Sequence, residues 1–233
     1  MSRGGVHADL ADVPADELLH RPRGVDAVTG AAVWTAHLTA YGALAEVGRL
    51  APGDHAVITA ASSPVGLAAV RTARRLGAIP IALTRTGATA ERLRAAGAAE
   101  VVATDEGGAA DRVLELTGGR GAAVVLDPVA SPALAETART VAPGGTLVVY
   151  GWLAGPAPLP MNWPLNIHGF AVDHITDHPD RFRRARAFIE SGLASGALVP
   201  DVDRVFDLAD MARAHHHLES GARFGKVVVT VDH

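Results

Sequence analysis

Asp54-His55-Ala56-Val57-Ile58-Thr59-Ala60-Ala61-Ser62-Ser63-Pro64-Val65-Gly66-Leu67-Ala68-Ala69-Val70-Arg71, continuing through Leu76-Gly77 to Ile79-Pro80-Ile81-Ala82-Leu83-Thr84, decides the fold. An apolar run, His55 to Ala60, reads as a buried strand. A turn of small residues follows, then a helix over Val65 to Leu76 that Gly77 closes. Ile79 to Leu83 is a second buried strand. This strand–helix–strand order is the opening unit of a dinucleotide-binding fold.

The pattern repeats outward from there. Helices are expected over Thr89–Ala96, Asp111–Leu116 and Ala133–Val141, and strands over Glu100–Ala103, Ala122–Leu126 and Thr146–Tyr150. Each strand is apolar along its whole length, as a parallel sheet covered on both faces requires. A connection with four prolines, Gly155 to Pro164, leads to a sixth strand at Ile167–Val172. A basic helix at Arg181–Leu193, a strand at Val202–Phe206, a helix at Leu208–Ser220 and a strand at Lys226–Val231 complete the chain. Before the first unit, Val25 to Leu50 reads as helical with a break near Gly30, and Ala8 to Val13 as a short strand. The expected class is α/β: a Rossmann-type doubly wound parallel sheet of about six strands with helices on both faces.

Composition narrows the function. The 233 residues carry a formal net charge of −4 and no basic stripe, which argues against nucleic acid as a partner. Cysteine is absent, so disulfides, thiolate metal sites and a cysteine nucleophile are excluded. No apolar run has the length of a membrane span, and the N-terminus lacks a signal-peptide core. A soluble cytoplasmic protein is the expectation.

The candidate cofactor site lies where the first strand meets its helix. Backbone N–H groups and the positive helix end suit a pyrophosphate. The turn offers Ser62, Ser63, Pro64, Val65 and Gly66, with Gly66 alone surviving from a Gly-x-Gly-x-x-Gly pattern. The Ser62 and Ser63 hydroxyls can replace donors that glycines would expose, whereas Pro64 removes one. Enzymes that use NAD place an acid at the end of the second strand to bond the ribose 2′-hydroxyl. Here the chain reads Thr84-Arg85-Thr86. A guanidinium flanked by hydroxyls suits a 2′-phosphate, which favours NADP(H). The alternative is a solvated loop arginine.

Several further segments carry a family resemblance: Leu38-Thr39-Ala40-Tyr41-Gly42-Ala43-Leu44, Pro52-Gly53-Asp54, Thr117-Gly118-Gly119-Arg120-Gly121 before Val124-Val125-Leu126-Asp127-Pro128-Val129, Ala142-Pro143-Gly144-Gly145 before Val149-Tyr150-Gly151, and Phe224-Gly225-Lys226-Val227-Val228. In this order they resemble the medium-chain dehydrogenase/reductase superfamily, its quinone-oxidoreductase-like and zinc-type alcohol-dehydrogenase-like members. The resemblance implies that Thr39 meets the nicotinamide end, that Asp127, Val129, Tyr150 and Gly151 line the cleft, and that Lys226 lies near it. Asp127 as a turn residue and Tyr150 as a core aromatic are the competing readings. NADPH-using members often have Lys where this chain has Thr89 and Tyr where it has Thr104. By the same resemblance, 1–24 corresponds to the end of a catalytic barrel, 25–175 to the NADP(H)-binding domain, and 176–233 to a segment that completes the catalytic domain. Most of the barrel is missing from this front. A homodimer through Ile167–Val172 is also implied.

The function expected is NADPH-dependent hydride transfer to a quinone, an enone or another conjugated carbonyl, with no zinc and no catalytic side chain assigned. The alternatives are a non-catalytic or truncated NADP(H)-binding protein and, further off, a zinc-type alcohol dehydrogenase. A methyltransferase fits less well, because its fold lacks the Phe224–Val228 closing element and places an acid after the second strand. Other clusters read as surface. His215, His216 and His217 on one helix splay over different faces. His174 and His178, with Asp173 and Asp177, read as a polar cap, and Arg181, Arg183, Arg184 and Arg186 as a basic helix face.

Overall fold

The computed structural model describes residues 7–15, 18–155, 157–161, 164–221 and 223–231. Six strands form one sheet: β1 (His55–Ile58), β2 (Ile79–Thr84), β3 (Glu100–Ala103), β4 (Ala122–Asp127), β5 (Val141–Val149) and β6 (Asn166–Gly169). Their order is β3-β2-β1-β4-β5-β6, and every pairing is parallel. The order reverses between β1 and β4, which opens a crevice at the carboxyl ends of the strands.

Alternate strand residues feed two cores. Ala56, Ile58, Val124, Leu126 and Val148 pack on one face with α1 (Ala27–Tyr41), α2 (Pro64–Arg75) and α7 (Pro179–Ala194). Val57, Ile81, Val125 and Leu147 pack on the other with α4 (Ala109–Leu116) and α5 (Leu134–Ala138). Two buried faces explain the unbroken apolar runs. Three further helices, α3 (Ala90–Ala95), α6 (Asp173–Thr176) and α8 (Met211–Glu219), and a parallel pair, β7 (Val202–Asp207) with β8 (Lys226–Thr230), follow outside these cores.

Four expectations need correction. Ala8–Val13 is no strand but a bend and irregular backbone, and Gly5 and Val6, which precede it, lie outside the described residues. The helix does not break at Gly30, whose N–H bonds to the Asp26 carbonyl at 2.9 Å. The disturbance comes at Gly42–Val47, where the helix widens to π geometry. The helix expected over Ala133–Val141 spans only Leu134–Ala138, and β5 begins at Val141 with an irregularity that absorbs Pro143-Gly144-Gly145. The sixth strand ends at Gly169, since Val172 already leads into α6.

The second sheet is bolted to α2. Arg71 makes a bidentate ion pair with Asp201 at 2.9–3.1 Å, and Gly225 N–H donates to the Ser62 carbonyl at 3.1 Å. The C-terminal unit therefore holds the turn after β1. Among the described residues no helix is long and apolar enough to cross a membrane.

Candidate functional site

A cleft of about 670 Å³ lies over the carboxyl ends of β1 to β4. Its walls include Ser62 and Ser63 after β1, Thr84, Arg85 and Thr86 after β2, Thr104 after β3, and Asp127 and Val129 after β4.

The floor is the start of α2. Ser63 is the N-cap, and its hydroxyl accepts the Gly66 N–H at 3.1 Å. Pro64 fills the first helical position, where a missing N–H costs nothing. The N–H groups of Ser62 and Val65 have no hydrogen-bond partner among the described residues. Two donors and a helix end thus face one place, the arrangement that binds phosphate. Ser63 keeps its hydroxyl proton to donate. A Cβ on Gly66 would lie 2.6 Å from the Ala60 carbonyl oxygen and 2.7 Å from Ala61 Cα, so only glycine lets α2 seat this closely. Ala60 has φ +47°, a left-handed conformation that glycine adopts without strain.

The β2 end supplies charge. Thr84 is buried, with its hydroxyl 3.3 Å from that of Thr89. Arg85 is exposed, and its guanidinium makes no hydrogen bond or ion pair among the described residues. At the β4 end, Asp127 is buried and its carboxylate is fully engaged. It accepts the Val129 and Ala130 N–H groups at 2.7 Å each and the Thr59 hydroxyl at 3.0 Å. Asp127 therefore shapes the wall from within, the turn role that the sequence left open.

Tyr150 follows β5. Burial pushes its hydroxyl well above the ordinary range, the Asp127 charge adds to this, and the Ser63 hydroxyl opposes it. The hydroxyl is near Ser63 without good hydrogen-bond geometry and has no other partner among the described residues. A buried donor in that position calls for a ligand or an ordered water. Gly151 is required by proximity, since a Cβ there would lie 2.8 Å from the Pro128 carbonyl oxygen.

Of the expected residues, Pro64, Val65, Gly66, Tyr150 and Gly151 adjoin this wall without lining the cleft, and Thr39 and Lys226 lie elsewhere. Thr39 is buried in α1 with its hydroxyl on the Thr35 carbonyl at 2.8 Å. Its neighbours Thr35 and Leu38 line a separate cavity of about 720 Å³ with Trp34, Arg21 and Phe182. Lys226 is half-buried in a small recess behind Pro64, with His37, Arg71 and Asp201. Burial, then the Arg223 charge, holds its ammonium below the usual lysine range. The cleft also contains Thr59 and Arg223, which sequence reasoning missed. Thr59 was hidden inside the first strand's run. Arg223 gave one signal, its adjacency to the Phe224-Gly225-Lys226 element.

The remaining clusters resolve into surface roles. His215 meets the His7 ring, His216 lines a shallow surface pocket, and His217 bonds Asp203 at 2.6 Å. The rings of His168, His174 and His178 contact in series, with Arg181 on His174 Nε2 at 2.8 Å. Arg183, Arg184 and Arg186 pair with Asp180, Glu46 and Glu190. Among the described residues no group of three His, Asp or Glu side chains could hold a metal ion.

Comparison with known proteins agrees with this geometry. The family described as zinc-binding dehydrogenase matches residues 64–190. A phenolphthiocerol/phthiocerol polyketide synthase of Mycobacterium tuberculosis is 33% identical over 202 residues, covering 84% of this chain and 9% of the synthase. Quinone oxidoreductase of Pseudomonas aeruginosa is 29% identical over 231 residues, covering 97% of this chain and 71% of that enzyme. The structure of Escherichia coli quinone oxidoreductase complexed with NADPH superposes with a TM-score of 0.87 at 25% identity, covering 96% of this chain and 72% of that one. The chain thus spans under a tenth of the synthase and about seven-tenths of the oxidoreductases. With the strand order, the turn at Ser62–Gly66 and the closing element all in place, the chain belongs to the zinc-binding dehydrogenase family, as a quinone-oxidoreductase-like member of the medium-chain dehydrogenase/reductase superfamily.

Proposed function

We propose that this chain binds NADP(H) in the cleft and serves NADPH-dependent reduction of a quinone, an enone or another carbonyl-conjugated acceptor. The observation that carries the reading is Arg85, a guanidinium at the β2 end with no partner among the described residues, in the same cleft as Ser62 and Ser63 of the turn, where the N–H groups of Ser62 and of the adjoining Val65 are free among the described residues. The residues fit the cofactor. Ser62 and Val65 donate to the diphosphate, and the Ser63 proton is free to join them. Arg85 pairs with the 2′-phosphate, with Thr84 and Thr86 beside it. No acid stands at the β2 end to select the unphosphorylated ribose. Tyr150 offers a buried hydroxyl toward the same region.

When bound, the cofactor supplies hydride to the conjugated acceptor. The protein binds, orients and excludes water. The described residues offer zinc no ligand set, and the reduction proposed needs none.

In this reading residues 25–175 form the cofactor-binding domain, and 1–24 and 176–233 belong to a catalytic lobe. The edge strand β6 pairs with a second copy of the chain. Its outer backbone is unpaired among the described residues and its Ile167 is 37% exposed, which an isolated subunit would leave open to adventitious pairing.

The test is Arg85→Ala. NADPH affinity, followed by reduced-nicotinamide fluorescence, is expected to fall about tenfold, the effect of losing one charge-assisted phosphate pair, with NADH affinity unchanged. Equal losses for both cofactors would refute the assignment.

A further inference from the structure

Three imidazoles stand in a row where β6 meets α6 and α7. His168 pairs in register with Val148 of β5, His174 is in α6, and His178 is the N-cap of α7. The ring centroids of His168 and His174 are 5.9 Å apart, and those of His174 and His178 6.1 Å. The Phe170 ring lies 5.8 Å from that of His174. Arg181 of α7 reaches back to the middle of the row. Its Nη1 is 2.8 Å from His174 Nε2 and also donates to the His174 carbonyl at 3.1 Å.

That contact fixes a protonation state. A guanidinium has donors and no acceptor, so His174 Nε2 must present a bare lone pair, and the ring proton sits on Nδ1. The bond exists only while His174 is neutral. Protonation turns Nε2 into a donor facing a donor, and sets a cation against Arg181 and between two further imidazoles. Burial, then the charges of Arg181, His168 and His178, hold its pKa below the ordinary histidine value of 6.5, and the Glu46 charge acts the other way. Glu46, in the π segment after α1, is itself held by Arg184 through both carboxylate oxygens at 2.9 Å. Asp173 and Asp177 are exposed, and neither pairs with the three histidines among the described residues. The row therefore gains positive charge in acid with no carboxylate bonded to it among the described residues.

The contact holds a wall. Thr176 of α6, with Val172 and Asp177 on either side of that helix, lines the cavity of about 720 Å³ that Trp34 of α1 and Phe182 of α7 also line. The long helix α7 is secured independently, by Ala185 and Ile189 in the core and by the Arg184–Glu46 pair. The short helix α6 has four residues and one buried anchor, Ile175. Loss of the Arg181 bond thus loosens α6 and leaves α7 in place.

We propose that His174 is a proton-operated latch: neutral, it ties α6 to α7 through Arg181 and holds the cavity wall; protonated, it lets α6 and that wall move. The proposal does not depend on the cofactor reading, because none of the three histidines lines the cleft. A released α6 leaves His174 with an ordinary imidazole. The latch is therefore fully engaged above about pH 6.5 and is lost as pH falls below that value.

The experiment labels the 233-residue protein with 5-fluorotryptophan, assigns the Trp34 signal through Trp34→Phe, and follows its fluorine resonance from about pH 8 to about pH 5. A step with its midpoint below 6.5 is expected. His37 has its pKa at about 4 and titrates below this window. His174→Gln keeps an acceptor for Arg181 that does not titrate, and is expected to abolish the step. His168→Gln and His178→Gln each remove a like charge and are expected to raise the midpoint, a change that a role confined to packing would not produce. A step of the same size and midpoint in His174→Gln overturns the proposal, as does the absence of a step in the unsubstituted protein. If His174→Gln does not fold, the midpoints of the other two variants decide, and unmoved midpoints overturn the proposal.

Discussion

At the scale of single residues, the site is built from compromises with clear physical costs. Ala60 sits at φ +47° where glycine is at ease. Ala60→Gly should stabilise the protein by about 0.5–1 kcal/mol, because relief of left-handed strain exceeds the added freedom of the unfolded chain. Urea unfolding measures this, and a loss of stability would show that the Ala60 methyl packs to greater effect than its strain costs. His37 is a second case. It is 1% exposed, its Nδ1 bonds the Val33 carbonyl at 2.9 Å, and its Nε2 has no partner among the described residues. Burial is the main cause of a pKa lowered to about 4 from 6.5. The unfolded chain then binds more protons between these values, so stability is complete above about pH 6.5 and falls as pH drops toward 4. The loss is on the order of 3 kcal/mol. His37→Leu should flatten that segment of the stability–pH curve, and an unchanged slope would clear His37 of the effect. Residue chemistry was partly legible in sequence. Arg85 stood out because an acid is normal at its position. Asp127 did not reveal its role, because whether a carboxylate meets a ligand or three local donors depends on how the loop after β4 folds.

At the scale of elements, periodicity and turn residues located β1 to β4 and α2 to within a few residues. Those elements are apolar on both faces or bounded by Gly and Pro. Errors fell where packing overrode local signals. Gly30 sits within α1 without breaking it, since the helix is buried against α2 and the C-terminal unit. Pro143-Gly144-Gly145 looked like a plain turn but is absorbed in an irregular β5. Thr39 and Lys226 were placed by resemblance alone; Thr39 is buried within α1, and Lys226 lines a small recess with Pro64. One close contact between elements is α2 on the turn after β1, with Gly66 at its centre. Gly66→Ala drives a methyl onto backbone atoms that have no freedom to move aside, so it should cost about 1–3 kcal/mol and weaken NADPH binding by displacing the Val65 N–H. Thermal melts and cofactor titration together test this. Normal stability and normal binding would mean that α2 can slide.

At the scale of the whole molecule, the turn at the start of α2, the cleft beside it and an open sheet edge belong to one topology. The order 3-2-1-4-5-6 puts the cleft at the switch point and β6 at the margin. Pairing of β6 with a second copy predicts a dimer in sedimentation equilibrium. Ile167→Lys should shift that equilibrium toward monomer, since a charge on an edge strand resists pairing. A monomeric unsubstituted chain would contradict the edge assignment. The fold was readable because it follows from strand order and burial. The cleft's second arginine comes from a segment far along the chain from the first, and has no local signature. Whether this cleft selects NADP(H) is read by titrating the unsubstituted chain with NADPH and with NADH and following nicotinamide fluorescence. Saturable binding at least about tenfold tighter for NADPH is the predicted result. Equal affinity, or tighter binding of NADH, would contradict it.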